Sequence, residues 1–309
     1  MKSKYSYFCG QFTYQDGRTG TNIAVQLPEM KQKTLQLAAL IAALLLAAPQ
    51  TYAQVLTAMR DSVKSAYSFW LYNPGLGSNV KTANEDGKLP LIVFLHGKSL
   101  SGTDMSKVRR YGPLDAIQYG RQIGAFIVAP QTSNGWTASK IDKIVDWVIR
   151  KYPVDSNRIY VIGMSMGGYG TIDYVGTHAD RVAAAMAICG GGDLKDYTPL
   201  RSVPLWIIHG TSDTAVSIKE SQKVIDGMKL SEVPESENRL IFTKLEGIDH
   251  SRPGRIFYMP QTYEWLFKHS LADSTRAVDR SFKLTVKSLD TAYEGQRSGL
   301  KPFLVVDRH

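Results

Sequence analysis

The stretch "RIYVIGMSMGGYG", residues 158–170, runs through an apolar segment and stops at a serine boxed by glycines. Tyr160, Val161 and Ile162 read as part of a buried strand, and the small residues beyond Ser165 open a helix. Gly163-Met164-Ser165-Met166-Gly167 sets a glycine two positions to either side of the serine. A turn sharp enough to pass from strand to helix there leaves no room for a Cβ at either flank. The expectation is a strained elbow that holds the Ser165 hydroxyl above the strand ends, with the helix N-terminus behind it favouring negative charge.

Outward from the elbow, short apolar runs alternate with helical patterns. "SFWLY" (68–72), "LIVFLHG" (91–97) and "AFIVAP" (125–130) precede it; runs beginning at Arg181, Pro204 and Asn238 follow. Continuous apolar runs read as strands covered on both faces, hence a mostly parallel sheet. Between them, Ala138 to Tyr152 repeats Ile141, Ile144, Val145, Val148 and Ile149 at helical spacing, and Pro153 blocks continuation. Ser217 to Leu230 is a second helix, weakened at its end by Gly227. The alternation implies right-handed βαβ units wound on both sides of one sheet, a three-layer α/β domain.

Four segments follow. Met30 begins "MKQKTLQLAALIAALLLAAPQTYAQ", with Lys31 and Lys33 ahead of an uncharged stretch from Leu35 to Ala48 and a Thr51-x-Ala53 site before Gln54. That pattern predicts a signal peptide over 30–53, too short to span a bilayer, and an exported protein, periplasmic or secreted, with no stable membrane span after cleavage. Residues 1–29, polar and aperiodic, read either as an upstream artefact of gene calling or as a disordered extension. The α/β domain is expected over 54–271. Residues 272–309, with alternation in "SFKLTVK" and "FLVVDRH", suit either a short hairpin or a loose tail.

Composition removes several alternatives. With 43% hydrophobic and 21% charged residues, the chain has the material for a large core and is not disordered as a whole. The net charge of +9 is scattered, its densest cluster being Lys107, Arg109 and Arg110, so no nucleic-acid partner is expected. Two cysteines, Cys9 and Cys189, form no CxxC pair, and no HExxH or clustered His/Asp set occurs, so neither a disulfide framework nor a metal is expected.

A serine nucleophile needs a base, and the base an orienting acid. In an open α/β sheet these belong on loops at the carboxyl ends of other strands. Asp213 follows the strand at Pro204 in "HGTSDTAV", and His250 follows the strand at Asn238 in "GIDHS". Asp213 taken alone also reads as a helix cap or Asx turn. Asp249 is the alternative acid, ranked lower because adjacent side chains diverge. His209 ends a buried strand, His178 lies near a helix terminus, and His269 and His309 come late, so each fits the base role less well. For the oxyanion of an acyl transfer, the backbone N–H of Met166 supplies one donor and that of Lys98, after His96-Gly97, the second. The Lys98 side chain is read as solvated, the alternative being contact with an acidic substrate. Trp136 and Tyr169 form either an aromatic wall for a sugar ring or phenolic acyl group, or ordinary packing.

The motifs "HGKS", "DSNRIYVIGMSMGGYGT", "PLWIIHGTSD" and the final "DHS" resemble those of secreted α/β-hydrolase esterases, the group of feruloyl and acetyl xylan esterases and polyhydroxybutyrate depolymerases, and the likeness extends to carboxylesterase/phospholipase and prolyl-oligopeptidase-type hydrolases. The resemblance covers about Ser68 to Leu271. It implies a three-layer α/β-hydrolase fold and a serine carboxylic-ester hydrolase with Ser165 as nucleophile, Asp213 as orienting acid and His250 as general base, without a cofactor. Two departures stand out: Lys98 replaces the small residue often found after His-Gly, and the tail after Leu271 has no counterpart. Only Cys189 to Val203 separate two of the strands where lids commonly enter, so no large lid fits there. The substrate expected is a small-molecule or polysaccharide-linked ester, acetyl or feruloyl on carbohydrate; the sequence leaves the oligomeric state undetermined. A peptidase of the prolyl-oligopeptidase type would use the same three groups but carries a propeller that this sequence lacks, and a non-catalytic binding protein of the same fold would be expected to have lost one of them.

Overall fold

The structure, a computed structural model, describes residues 5–8, 11–15, 22–26, 54–75, 81–297 and 299–307. The chain divides into two compact units, Met1–Gln50 and Thr51–His309. In the first, strands β1 (Tyr5–Phe8), β2 (Gln11–Gln15) and β3 (Asn22–Gln26) form an antiparallel meander, with Tyr5 opposite Tyr14 and Gln11 opposite Gln26. Its sequence has no clear periodicity, but Tyr, Phe, Thr, Ile and Val recur in it, the residue types that pleated backbone favours. The segment read as a signal peptide, 30–53, lies outside the described residues. Among the described residues no helix is long and apolar enough to cross a membrane.

The second unit is built on a nine-stranded sheet. Its strands are β4 (Val55–Met59), β5 (Phe69–Asn73), β6 (Leu89–Leu95), β7 (Phe126–Pro130), β8 (Val154–Met164), β9 (Ala184–Ile188), β10 (Leu205–Gly210), β11 (Leu240–Leu245) and β12 (Leu304–Val306). The spatial order is β11-β10-β9-β8-β6-β7-β5-β4-β12, and only β5 runs against the others. The mostly parallel sheet expected from the unbroken apolar runs is therefore present, and every residue of β6, β7, β9 and β10 is buried.

Alternate residues of each strand feed two separate cores. On one face Ile92, Phe94, Tyr160, Ile162, Met186 and Trp206 meet helices α1 (Pro113–Gln118) and α5 (Pro260–Phe267). On the other, Leu91, Val93, Ile159, Val161 and Ile207 meet α2 (Ala138–Lys151), α3 (Met166–Thr177) and α4 (Ile218–Gly227). Ile141, Ile144, Val145 and Val148 form the buried stripe of α2, as their spacing requires. Ser217 caps α4 by accepting from the Lys219 N–H at 3.3 Å, and Lys229, at φ 50°, ends the helical run. Between β9 and β10 there is only a short 3-10 turn, Thr198–Ser202, and no lid.

The tail is neither a hairpin nor loose. From Ala272 it lies along the first core, with Phe282 edge-on to Trp206 at 5.5 Å, and forms α6 (Val286–Asp290). It finishes as β12, which pairs parallel with β4 at the sheet edge. The alternation in "SFKLTVK" reports an extended chain with Leu284 turned into the core, and no strand ladder forms there. Leu289→Ala, at a fully buried tail position, is expected to cost about 2–5 kcal/mol of stability. Chemical denaturation measures it, and a change close to zero would mean the tail is not part of the core.

Candidate active site

Strand register sets the site. Leu95 of β6 pairs with Gly163 of β8, Met164 of β8 with Ile188 of β9, Ile188 with Ile208 of β10, and Gly210 of β10 with Leu245 of β11. The carboxyl ends of these strands thus align, and the loops that leave them carry Lys98, Ser165, Asp213 and His250.

Ser165 follows β8 directly, at φ 58° and ψ −124°. A non-glycine residue held there costs roughly 1–3 kcal/mol, a strain that persists only when surrounding bonds enforce it. The Ser165 N–H donates to the Ile188 carbonyl at 2.8 Å, and the Tyr169 N–H to the Ser165 carbonyl at 3.1 Å. A Cβ on Gly163 would land on the Gly167 carbonyl, and one on Gly167 on the Leu95 carbonyl, so the two glycines permit the backbone contacts that force the turn.

Asp213 and His250 meet. The Asp213 Oδ1 accepts the N–H groups of Ala215 and Val216, both at 2.9 Å, and its Oδ2 lies 2.6 Å from His250 Nδ1. The acid's side chain is wholly buried, while that of His250 is 25% exposed. Burial pushes the Asp213 carboxyl up, but the Val216 N–H and the His250 hydrogen bond outweigh it and leave the group below the ordinary carboxylate range. An ionised carboxylate only accepts, so His250 donates through Nδ1, and the neutral form of the ring has Nε2 as its acceptor. Asp249 faces other partners: its Oδ1 accepts the N–H groups of Ser251 and Arg252, both at 3.0 Å.

Ser165 and His250 line one cleft of about 1100 Å³, together with Lys98, Met166, Trp136 and Tyr169. A Cβ on Gly97 would lie 3.3 Å from the Ser165 Cβ, so the loop after β6 passes directly against the elbow. Two residues without an expected role fix that loop. Tyr111 accepts the Gly97 N–H at 2.5 Å, and buried His96 bonds the Gly97 carbonyl through Nδ1 at 2.8 Å and accepts the Thr132 N–H on Nε2 at 3.3 Å. Burial lowers the His96 pKa, which favours the neutral ring this pattern needs. Position at a strand end was the available signal for His96; Tyr111 arrives from a separate loop and had none.

Trp136 is both wall and packing: it lines the cleft, yet stands edge-on to Tyr67 at 5.3 Å and to His96 at 4.9 Å, and donates its Nε1–H to the His96 carbonyl at 3.1 Å. Burial and the nearby Glu220 push the Tyr169 phenol up to about 12, so it stays a donor at neutral pH. The tail adds Tyr293 to the cleft, 4.8 Å from Tyr258 and under the Arg255 guanidinium at 5.6 Å. Among the described residues, Cys189, His209 and Asp213 bring ligand-type atoms within 4.8 Å of one another. The Asp213 oxygens there are already hydrogen-bonded and burial pushes the Cys189 thiol up, so the trio does not fit a metal, which would need the thiolate.

No protein-family model matches the chain. A bifunctional acetylxylan esterase/xylanase of Neocallimastix patriciarum is 31% identical over 141 residues, a match that takes in 42% of this chain and 20% of that protein. Among solved structures, a thermostable esterase superposes with a TM-score of 0.51 at 24% identity, covering 84% of this chain and 62% of the other. A fluorophosphonate-binding serine hydrolase of Staphylococcus aureus gives a TM-score of 0.46 at 18% identity over 65% of this chain and 92% of its own. The chain thus spans a fifth of the curated relative and under two thirds of the thermostable esterase. Sheet order, elbow and the first of these structural likenesses together give the chain the α/β-hydrolase fold.

Because the folded pKa of Asp213 lies below its unfolded value, its bonds stabilise above the ordinary carboxylate range and are lost as pH falls through the folded value. The Tm of the wild type should therefore fall more steeply on acidification than that of Asp213→Asn. Parallel Tm curves would show that the carboxylate is not preferentially held ionised.

Proposed function

We propose that this protein is a serine carboxylic-ester hydrolase that works through an acyl-enzyme. The observation that carries the reading is Ser165 at φ 58° on the wall of a cleft it shares with His250, whose Nδ1 is tied to buried Asp213 at 2.6 Å. The His250 Nε2 takes the Ser165 proton as Oγ attacks the ester carbonyl. Asp213 stabilises the imidazolium that forms, and the N–H groups of Met166 and Lys98 receive the oxyanion. Collapse expels the alcohol, protonated by His250, and water then repeats the sequence on the acyl-enzyme.

For the substrate, we favour acetyl or feruloyl esters of carbohydrate. The open cleft with its Trp136, Tyr169 and Tyr293 rings offers stacking surface, and the Neocallimastix relative is named as an acetylxylan esterase/xylanase. Export, read from residues 30–53, would bring the enzyme to such polymers.

Ser165→Ala should keep its Tm and lose at least about 10³-fold in kcat on p-nitrophenyl acetate; an unchanged rate would contradict the proposal. Serine-dependent release of acetyl groups from acetylated xylan or of ferulate from its sugar esters supports the substrate class, whereas turnover confined to small activated esters or peptide amides contradicts it. Lys98 stands first in a 3-10 turn, where proline is tolerated, and Gly97 before it is extended. Lys98→Ala should therefore be mild, while Lys98→Pro, which removes the N–H, should lower kcat about 10²–10³-fold. Equal effects of the two would place the second oxyanion donor elsewhere.

A further inference from the structure

His209, next to last in β10, is wholly buried and is left without a role by the reaction above. Its ring contacts are fully occupied. Nδ1 lies 2.8 Å from the Ser221 Oγ on α4, whose hydroxyl is also 2.8 Å from the Gly190 carbonyl. Nε2 lies 2.9 Å from the Val216 carbonyl and 3.3 Å from the Asp213 Oδ2, the oxygen that also meets His250.

The neighbours of Nε2 decide where the proton sits. A carbonyl and a carboxylate are both acceptors, so a bare Nε2 would place three lone pairs against one another without water. Nε2 must carry the hydrogen. In that tautomer the single Ser221 hydroxyl hydrogen turns to Nδ1, away from the Gly190 carbonyl, and the ring stays neutral, in keeping with its burial.

We infer that His209 is a positioning residue: its Nε2–H, shared between the Val216 carbonyl and the Asp213 Oδ2, fixes the carboxylate that orients His250. The inference rests on the proposed reaction. Four N–H groups then surround Asp213, two from the backbone on Oδ1 and two imidazoles on Oδ2. The titratable groups that face His209 are Asp213, Cys189 and, through the shared carboxylate, His250. The extra donor lowers the proton affinity of Asp213 and draws charge away from His250. Without it the carboxylate protonates at higher pH and His250 sees more negative charge, and both changes move the acid limb of the pH–rate profile upward.

Two substitutions separate this role from a merely structural one. An Asn amide at position 209 reaches the place of Nδ1 and keeps the Ser221 bond; a Gln amide reaches the place of Nε2 and keeps a donor for Asp213. His209→Asn should lower kcat/KM for p-nitrophenyl acetate about tenfold or more and shift the acid limb upward. His209→Gln should retain the wild-type limb. An unshifted limb in the Asn variant, or the same shift in both, would overturn the inference. Nitrogen NMR of the wild type, labelled at histidine, needs neither turnover nor a variant: His209 should show a protonated Nε2 and unprotonated Nδ1, and the reverse tautomer would refute it. If wild-type turnover does not depend on Ser165, the proposed reaction fails while the NMR result still reports on the His209–Asp213 contact.

Discussion

Gly167 presses its backbone against the Leu95 carbonyl so closely that no Cβ could stand between them. That contact locks the start of α3 to the end of β6, the first strand of the parallel core. From it follow the positive φ of Ser165, the approach of Gly97 to the serine Cβ and the position of the Lys98 backbone beside it. The strain of the elbow is borne by a sheet in which β6, β7, β9 and β10 are buried along their whole length, and such a core does not relax to relieve one residue.

The acid on the neighbouring loop obeys a different constraint. A carboxylate without solvent is tolerable only when its lone pairs are filled. Asp213 satisfies this with the Ala215 and Val216 N–H groups and with His250, while His209 closes the remaining approach. The polar network is therefore anchored to β10 and α4, rigid elements, and His250 is the imidazole of it that reaches the cleft, on a partly exposed loop. A fixed carboxylate beneath a more accessible imidazole is the division of labour that the proposed acyl transfer requires.

Much of this was legible in the sequence, for identifiable reasons. Short apolar runs without alternation, rich in Val, Ile and aromatics and bounded by turn residues, read as strands covered on both sides, so the three-layer parallel core was readable, as was the stripe of α2. The elbow was readable because its glycines are dictated by backbone contact, and the loops of Asp213 and His250 because strand ends are easily placed. What escaped depends on contacts between distant segments. Tyr111 reaches Gly97 from another loop, Tyr293 enters the cleft from a tail whose alternation imitated a strand, and β12 finds β4 at an edge with only short apolar runs to announce it. His209 looked like the plain end of a buried strand, because nothing local reveals that both neighbours of its Nε2 are acceptors.

The central claim is that one serine in this chain is activated by its fold. The most direct measurement is reaction of the native protein with a fluorophosphonate, followed by peptide mapping of the adduct by mass spectrometry. A single adduct on Ser165, absent after denaturation and absent in His250→Ala, is the result expected. An adduct on another residue, or none on the folded protein, would contradict it.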